Sequence, residues 1–176
     1  MPRQNRIRKL FTPIAETVTR NLRIGEPLEI NGKILCGRDA VLPKIVNRIE
    51  TGQLDTLGVD LEGAVIFHTA VSPAGIGPTT SNKVEIESSI PMLSRAGVRI
   101  HLGKGSIGPE TVDALARYHS VFAITPPVSA LFSDKIVSRR LAAFPEEGME
   151  ALYEIVVKDF PAIVAGARGA SIFSRR

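Results

Sequence analysis

Apolar positions recur along the chain at spacings that predict alternating helices and strands. Residues 64–67 form a continuous apolar run, typical of a strand covered on both faces. Residues 40–50 carry apolar side chains at helical spacing, at Val41, Leu42, Ile45, Val46 and Ile49. Further helices are predicted at 80–96 and 109–119, and further strands at 98–102 and 121–124. Because helices alternate with strands, we predict an α/β fold with a mainly parallel sheet.

The flanking parts of the chain carry weaker patterns. Residues 14–22 predict a short helix, and Pro27–Ile30 alternates like a strand before Asn31-Gly32, a favoured hairpin turn, with residues 33–36 as the return strand. Asp39 is predicted to cap the helix over 40–50. Residues 68–76 are expected to form a loop, 130–140 a helix, and 171–173 a last strand.

The size of the chain fits one domain, since single domains commonly have about 100 to 200 residues. We predict a basic N-terminal leader over residues 1–12 and a single domain over 13–176. No apolar run approaches the roughly 18 residues that a membrane span requires. The apolar segment after the basic start is too short for a secretory signal. The expected location is therefore the cytoplasm.

Charge and cysteine content narrow the function classes. The net charge of +4 is carried largely by four basic residues among the first nine, and the chain has no Trp and two Tyr. Nucleic acid binding is not predicted, because no aromatic side chains are interleaved with basic ones to stack bases. The single cysteine, Cys36, excludes an internal disulfide and cannot by itself hold an iron–sulfur cluster or a structural zinc.

Two short motifs offer groups that bind anions. They are Gly77-Pro78-Thr79-Thr80-Ser81-Asn82-Lys83 and Gly103-Lys104-Gly105. The first is predicted to open a helix, where free N–H groups and the helix dipole favour carboxylates or phosphates. An ordinary hydroxyl cap after a Gly-Pro turn explains the local pattern equally well. The choice between the two depends on the rest of the chain.

A wider set of polar residues falls at predicted loop ends. It provides three cations and two hydroxyls, from Arg38, Lys83, Lys104, Thr79 and Thr80. Arginine can hold a carboxylate through two parallel hydrogen bonds, and lysine acts as a compact charge. No Ser-His-Asp or Cys-His arrangement lies nearby. The set therefore suits a clamp for a dicarboxylate, with the reactive metal or cofactor coming from outside the chain.

An ordered series of motifs gives the chain a family resemblance. The motifs are Gly37-Arg38-Asp39-Ala40, Gly77-Pro78-Thr79-Thr80-Ser81, Gly103-Lys104-Gly105, Gly148-Met149-Glu150-Ala151-Leu152 and residues 157–162. In this order they resemble the β subunit, or C-terminal domain, of class I fumarate hydratases and L-tartrate dehydratases. The resemblance covers about residues 13–173.

The resemblance implies a fold, a cofactor and a partner. The expected fold is a swivelling β/β/α three-layer domain with a mainly parallel central sheet and a second, smaller sheet. An α subunit would supply an oxygen-sensitive [4Fe-4S] cluster, and no metal would be bound by this chain alone. The implied assembly is a heteromer, of α2β2 type, acting as a hydro-lyase on fumarate and malate or, next, on tartrate or oxaloacetate.

The resemblance also implies roles for individual residues. Arg38, Lys83 and Lys104 would bind substrate carboxylates, with Gly77, Gly103 and Gly105 shaping the binding loops. Thr79 matches the residue proposed to abstract a proton from carbon, with Thr80 beside it. A neutral threonine is a poor base and needs help from neighbouring cations or from the substrate.

Three departures from the family leave a second hypothesis open. Lys83 stands where the family usually has Arg, residues 40–42 read Ala-Val-Leu instead of Ala-Ala-His, and residues 166–170 lack the family's acid and amide. The alternative is a non-catalytic dicarboxylate-binding or regulatory module that has lost its cluster-bearing partner. His68 and His101 are interpreted as core or rim histidines, because no third ligand is spaced to join them.

Overall fold

The structure of the protein, a computed structural model, describes residues 6–72, 75–77, 83–126 and 134–173. The strands are β1 (Arg8–Phe11), β2 (Pro27–Gly37), β3 (Val65–His68), β4 (Ala70–Ser72), β5 (Gly75–Gly77), β6 (Ile100–Gly103), β7 (Val121–Ile124), β8 (Ile136–Ala143), β9 (Leu152–Ala167) and β10 (Ala170–Ser171). The α-helices are α1 (Glu16–Thr19), α2 (Leu42–Glu50), α3 (Lys83–Arg95) and α4 (Pro109–Tyr118). Short 3-10 helices cover Leu54–Leu57 and Pro145–Glu150.

Four parallel strands form the framework of the molecule. They lie side by side in the order β2, β3, β6, β7, with Gly37 opposite His68, Phe67 opposite Leu102, and Gly103 opposite Ile124. Helices α3 and α4 fill the crossovers from β3 to β6 and from β6 to β7. The prediction of a mixed α/β fold is confirmed. The carboxyl ends of the four strands share one edge of the sheet, which is called the carboxyl edge below.

Strand β9 closes this sheet on itself. It pairs antiparallel with both β2 and β7, so that five strands form a closed, barrel-like arrangement within a sheet of eight. The expected three-layer architecture is not confirmed, because the long β9 joins the two ends of the parallel set instead of leaving an open sheet. Asp159, with a φ of 52°, lies between the half of β9 that pairs with β8 and the half that pairs with β7. A second sheet contains β4 and β5.

The predicted hairpin at Asn31-Gly32 is wrong. Strand β2 runs through both residues, with a shift in its pairing to β9 between Ile30 and Gly32. The Asn31 side chain accepts a hydrogen bond from the Asp159 backbone N–H at 2.9 Å and donates one to the Leu10 carbonyl at 3.3 Å. These tertiary bonds hold Asn31 within an irregularity of one strand, so the local turn preference does not decide the structure.

Three other local predictions fail because tertiary contacts decide the structure. Most of the predicted helix at 130–140 that the structure describes is strand, because Ile136–Ala143 pairs antiparallel with β9. Helix α2 begins at Leu42 with no side-chain cap, and Asp39 forms an ion pair with Arg38 instead. The expected loop at 68–76 contains β4 and β5, which pair antiparallel. The strand over 121–124 is confirmed to the residue.

The apolar core lies on both sides of the parallel strands. Val65 and Phe67 of β3 belong to the cluster inside the barrel, where the Phe67 ring meets the Phe160 ring edge-on at 5.7 Å. Ile66 packs on the opposite side with residues of α2 and α3. Because side chains alternate along a strand, His68 faces the same side as Ile66. The fold therefore presents His68 to the helix layer.

The N-terminal strand belongs to the main sheet. Arg8–Phe11, within the expected leader, pairs parallel with the first half of β2. Among the described residues, no helix is both long and apolar enough to cross a membrane.

Candidate functional site

Three polar residues lie at the ends of three neighbouring parallel strands. Arg38 follows directly after β2, His68 is the last residue of β3, and Lys104 follows directly after β6. Strand β3 lies between the other two. Neighbouring strands are about 4.8 Å apart, so the backbones of Arg38 and Lys104 are separated by roughly 10 Å with His68 between them. Ligand sites of α/β proteins commonly form at such an edge.

The Arg38 side chain is held by two carboxylates. Its Nε lies 2.8 Å from Asp39 Oδ1 and 3.6 Å from Glu150 Oε1, and only 13% of the side chain is exposed. Glu150 reaches it from the 3-10 helix at Pro145–Glu150. Since Nε faces these acids, the plane of the guanidinium is fixed before any ligand arrives. An arginine in this setting is oriented for a planar anion such as a carboxylate.

Lys104 stands in a more open position. It is exposed, and no ion pair joins it to another residue in the described part of the chain. A Cβ on the preceding Gly103 would meet the Phe122 ring at 3.2 Å, so the strand end packs closely against β7. Gly105 has a φ of 82°, which most residues avoid. These two glycines shape the turn that presents the Lys104 ammonium.

The threonine motif falls largely outside the described residues. Thr79 and Thr80 both lie there, while Gly77 ends β5 and Lys83 begins α3. The motif thus lies between β5 and α3, whereas a loop was predicted before it. Glu87 of α3 accepts hydrogen bonds from the Gly108 N–H at 2.6 Å and the Thr111 hydroxyl at 2.9 Å. This carboxylate caps the start of α4 and fixes α3 beside it.

A buried chain of hydrogen bonds runs from α3 to the end of β3. The Ser94 hydroxyl lies 2.8 Å from His101 Nε2, and His101 Nδ1 lies 3.1 Å from His68 Nε2. Burial lowers the pKa of His68 to about 4. Burial, followed by the charges of His68 and Arg99, holds the pKa of His101 well below its usual range. Both rings are therefore neutral near pH 7.

Sequence reasoning missed this pair. It interpreted both histidines as ordinary core or rim residues, and a hydrogen-bonded pair was not predicted. The signal was present in the strand spacing: His101 is opposite Ile66, and His68 lies two residues further along the same strand face. Among the described residues, no group of three His, Cys, Asp or Glu is placed to hold a metal ion.

Cys36 is unsuited to metal chemistry. It is buried in the barrel core, and burial raises the pKa of its thiol far above the usual range. A thiolate is the form that binds iron, and a cluster requires several of them. The residues of this chain therefore do not fit a resident iron–sulfur cluster.

A separate cleft of about 320 Å³ lies away from the carboxyl edge. Its charged lining includes Lys33, Arg140 and Glu154, with Val65 from the first residue of β3. Arg140 binds Glu154 through two hydrogen bonds, at 3.0 and 3.2 Å, and Lys33 lies 3.9 Å from the same carboxylate. Because these charges already pair with one another, the cleft is a weaker anion site than the carboxyl edge.

Comparison with known proteins identifies relatives along most of the chain. The family described as Fumarase C-terminus matches residues 3–176. Fumarate hydratase 2 of Leishmania major is 28% identical over 160 residues, covering 86% of this chain and 28% of the relative. The aerobic class I fumarate hydratase of Escherichia coli K12 is 31% identical over 147 residues, covering 78% and 26%.

A third relative is closer to this chain in length. The β subunit of L(+)-tartrate dehydratase of Escherichia coli K12 is 26% identical over 168 residues, covering 89% of this chain and 81% of the relative. The chain thus spans only about a quarter of the fumarate hydratases but most of the tartrate dehydratase β subunit.

Proposed function

Because the chain belongs to the Fumarase C-terminus family, we propose that it is the substrate-binding β subunit of an iron–sulfur-dependent hydro-lyase. The reaction would add or remove water reversibly on a four-carbon dicarboxylate. Fumarate and malate are the first candidate substrates, and tartrate or oxaloacetate the next. The names of the relatives, fumarate hydratase and tartrate dehydratase, support this class of reaction.

The observation that carries the proposal is the placement of two cations after strands β2 and β6, on either side of β3. Arg38 and Lys104 flank the end of β3, and their long side chains can close on a small dianion between them. Arg38, already oriented by Asp39 and Glu150, would hold one carboxylate through paired hydrogen bonds. Lys104 would balance the charge of the other.

The threonine motif would complete the site. It precedes α3, which begins at Lys83 and whose N-terminal end carries the positive pole of the helix dipole. Thr79, as its alkoxide, would take a proton from the substrate carbon during dehydration and become the neutral hydroxyl, and it would return that proton during hydration, with Thr80 beside it. Nearby cations favour this step because they stabilise the developing negative charge of the substrate.

The cluster would come from a partner chain. Buried Cys36 cannot serve as its ligand, so the [4Fe-4S] group is assigned to an α subunit. When bound, the cluster would supply an iron Lewis acid for the hydroxyl group of the substrate. The name of the tartrate dehydratase relative, a β subunit, supports a partner chain, and the assembly we propose is of α2β2 type.

Anaerobic coexpression with the candidate cluster-bearing chain tests the proposal. The purified complex should convert at least one member of a panel of fumarate, L-malate, L-tartrate and oxaloacetate, and this chain alone should convert none. A complex that contains the cluster yet converts no substrate would refute the hydro-lyase. In that case, dicarboxylate binding by this chain would favour the non-catalytic module.

A further inference from the structure

The hydrogen-bond chain Ser94–His101–His68 ends at His68 Nδ1. His68 is 6% exposed, and its Nδ1 has no hydrogen-bond partner among the described residues. A buried polar atom without a partner destabilises the protein, so such an atom calls for an explanation. The roles of Arg38, Lys104 and the threonine motif do not account for it.

The hydrogen bonds of Ser94 and His101 favour one position for the ring proton of neutral His68. Ser94 and His101 are fully buried, and the Ser94 hydroxyl has His101 Nε2 as its hydrogen-bond partner. If the hydroxyl donates, His101 must carry its proton on Nδ1 and donate to His68 Nε2. Neutral His68 then carries its own proton on Nδ1. In the reverse arrangement the unpaired donor would be the serine O–H instead of His68 Nδ1–H, and His68 Nδ1 would be an unpaired acceptor as well. The first arrangement therefore leaves fewer buried groups without a partner.

His68 lies at the carboxyl edge of the sheet. His68 ends the strand that lies between the strands leading to Arg38 and Lys104, and Gly37, which precedes Arg38, is its direct register partner. The residue that carries the neutral donor is therefore on the strand between those of the two cations. A doubly negative ligand held by those cations offers more carboxylate oxygens than two cationic side chains can satisfy.

We propose that His68 is a substrate-binding residue that donates its Nδ1–H to a carboxylate oxygen of the dicarboxylate, with His101 and Ser94 as positioning residues that fix its tautomer. This inference rests on the dicarboxylate site of the proposed function, but not on the hydration chemistry. Because neutral His68 adds no charge, the two positive charges of Arg38 and Lys104 still balance the two negative charges of a dicarboxylate. The Nδ1–H also disfavours ligands that place a methyl group beside it, because the N–H would stay unpaired.

Imidazole NMR of the full chain, labelled with ¹⁵N in histidine, tests the tautomer and the contact together. At pH 7 His68 should show a protonated Nδ1 and an unprotonated Nε2. Succinate, an unreactive dicarboxylate, should shift the Nδ1–H signal, and the shift should disappear in Arg38→Ala. An unprotonated Nδ1, or a signal that ignores succinate, would overturn the proposal.

A matched pair of variants separates binding from packing. In His68→Asn the side-chain amide overlays Nδ1 and keeps a donor there, whereas in His68→Gln it overlays Nε2 and keeps the contact with His101. A hydrogen bond to a charged group contributes about 1.5 to 3 kcal/mol, so His68→Gln should weaken succinate binding roughly tenfold or more. His68→Asn should stay within about threefold of the wild type, since it retains the donor.

Ser94→Ala tests whether Ser94 sets the tautomer of His68 through His101. Loss of the serine donor allows His101 and His68 to adopt the other tautomer, so the Nδ1–H signal of His68 should weaken while the fold is retained. Equal succinate affinity in His68→Gln and wild type, measured by calorimetry, would contradict the inference. If the complex converts no substrate while His68 still responds to succinate, the hydro-lyase fails and this binding role stands.

Discussion

The two ends of the parallel strands use their polar side chains differently. At the amino end, the Arg99 guanidinium donates to the Tyr118 carbonyl at the end of α4, and the Ser120 hydroxyl donates to the Val98 carbonyl at 2.6 Å. At the carboxyl end, Lys104 is exposed without an ion pair among the described residues, and buried His68 has a ring nitrogen with no hydrogen-bond partner among them.

We assign a stabilising role to the polar side chains at the amino end of the sheet and a binding role to those at the carboxyl edge. A cation placed at a helix C-terminus, as Arg99 is, satisfies carbonyls that the helix leaves open. Its Nε, like His68 Nδ1, has no partner among the described residues, but its charge already lies beside the helix end. At the carboxyl edge, Lys104 has no ion pair among the described residues, and Asp39 and Glu150 orient Arg38. Substitutions at the amino end should therefore reduce stability, and substitutions at the carboxyl edge should reduce substrate binding or turnover.

The largest effect is expected from Arg38→Ala. Loss of a charged, paired contact to a carboxylate in a partly desolvated site costs about 3 kcal/mol or more, so kcat/KM of the complex should fall at least about a hundredfold. Arg140→Ala is the matched control, because Arg140 pairs with Glu154 on an exposed surface. Its activity should stay within about threefold, since exposed ion pairs contribute little. Equal losses in both variants would remove the distinction between the two regions.

At the amino end, Arg99→Ala should reduce stability and leave the site intact. The change removes a buried side chain and leaves the Tyr118 carbonyl without its donor, at a cost of about 2 kcal/mol. Urea unfolding measures the loss. The KM of the folded fraction should not change, and a large rise in KM at constant stability would contradict the assignment.

The buried histidines predict a loss of stability in mild acid. The pKa of His68 falls from an unfolded value near 6.5 to about 4, and that of His101 is also lowered, so the unfolded chain binds more protons below pH 6.5. Stability is therefore complete above about pH 6.5 and is lost as the pH falls toward 4. Between pH 7.5 and pH 5 the free energy of unfolding should drop by about 1 to 2 kcal/mol from His68 alone.

Comparison of wild type and His68→Gln over this pH range isolates that contribution. The variant should have a visibly flatter pH dependence, because a titrating group has been removed from the chain. Identical slopes would show that His68 is already protonated or exposed in the folded protein.

The smallest change in activity is expected from Lys104→Ala. An exposed lysine contributes a point charge to substrate binding, so KM should rise about tenfold while kcat changes little. Lys33→Ala, which removes an exposed lysine from the separate cleft, should leave KM unchanged. If Lys33→Ala raises KM more than Lys104→Ala, the cleft and not the carboxyl edge binds the substrate.

The parallel part of the fold was predictable from sequence because its elements follow local periodicity. Residues 121–124 read as a buried strand and are one, and α4 lies within one residue of its predicted end. The antiparallel part was not predictable. Strand β9 depends on partners more than a hundred residues away, and its pairing overrides the turn preference of Asn31-Gly32.

The candidate site was likewise predictable from sequence only in part. Arg38 and Lys104 were identified from motifs, and their strand ends lie at one edge as parallel topology requires. The hydrogen-bonded histidines were not identified, because each ring looks ordinary alone and only the register of β3 and β6 brings them together. The predicted cap Asp39 instead orients Arg38.

Backbone NMR of the full chain during titration with L-malate tests whether the dicarboxylate binds at the carboxyl edge. The amide signals of Arg38, His68 and Lys104 should shift together with one affinity, while those of Arg99, Ser120 and the cleft around Lys33 stay fixed. Shifts confined to the amino end or the cleft, with the carboxyl edge unchanged, would contradict binding at that edge.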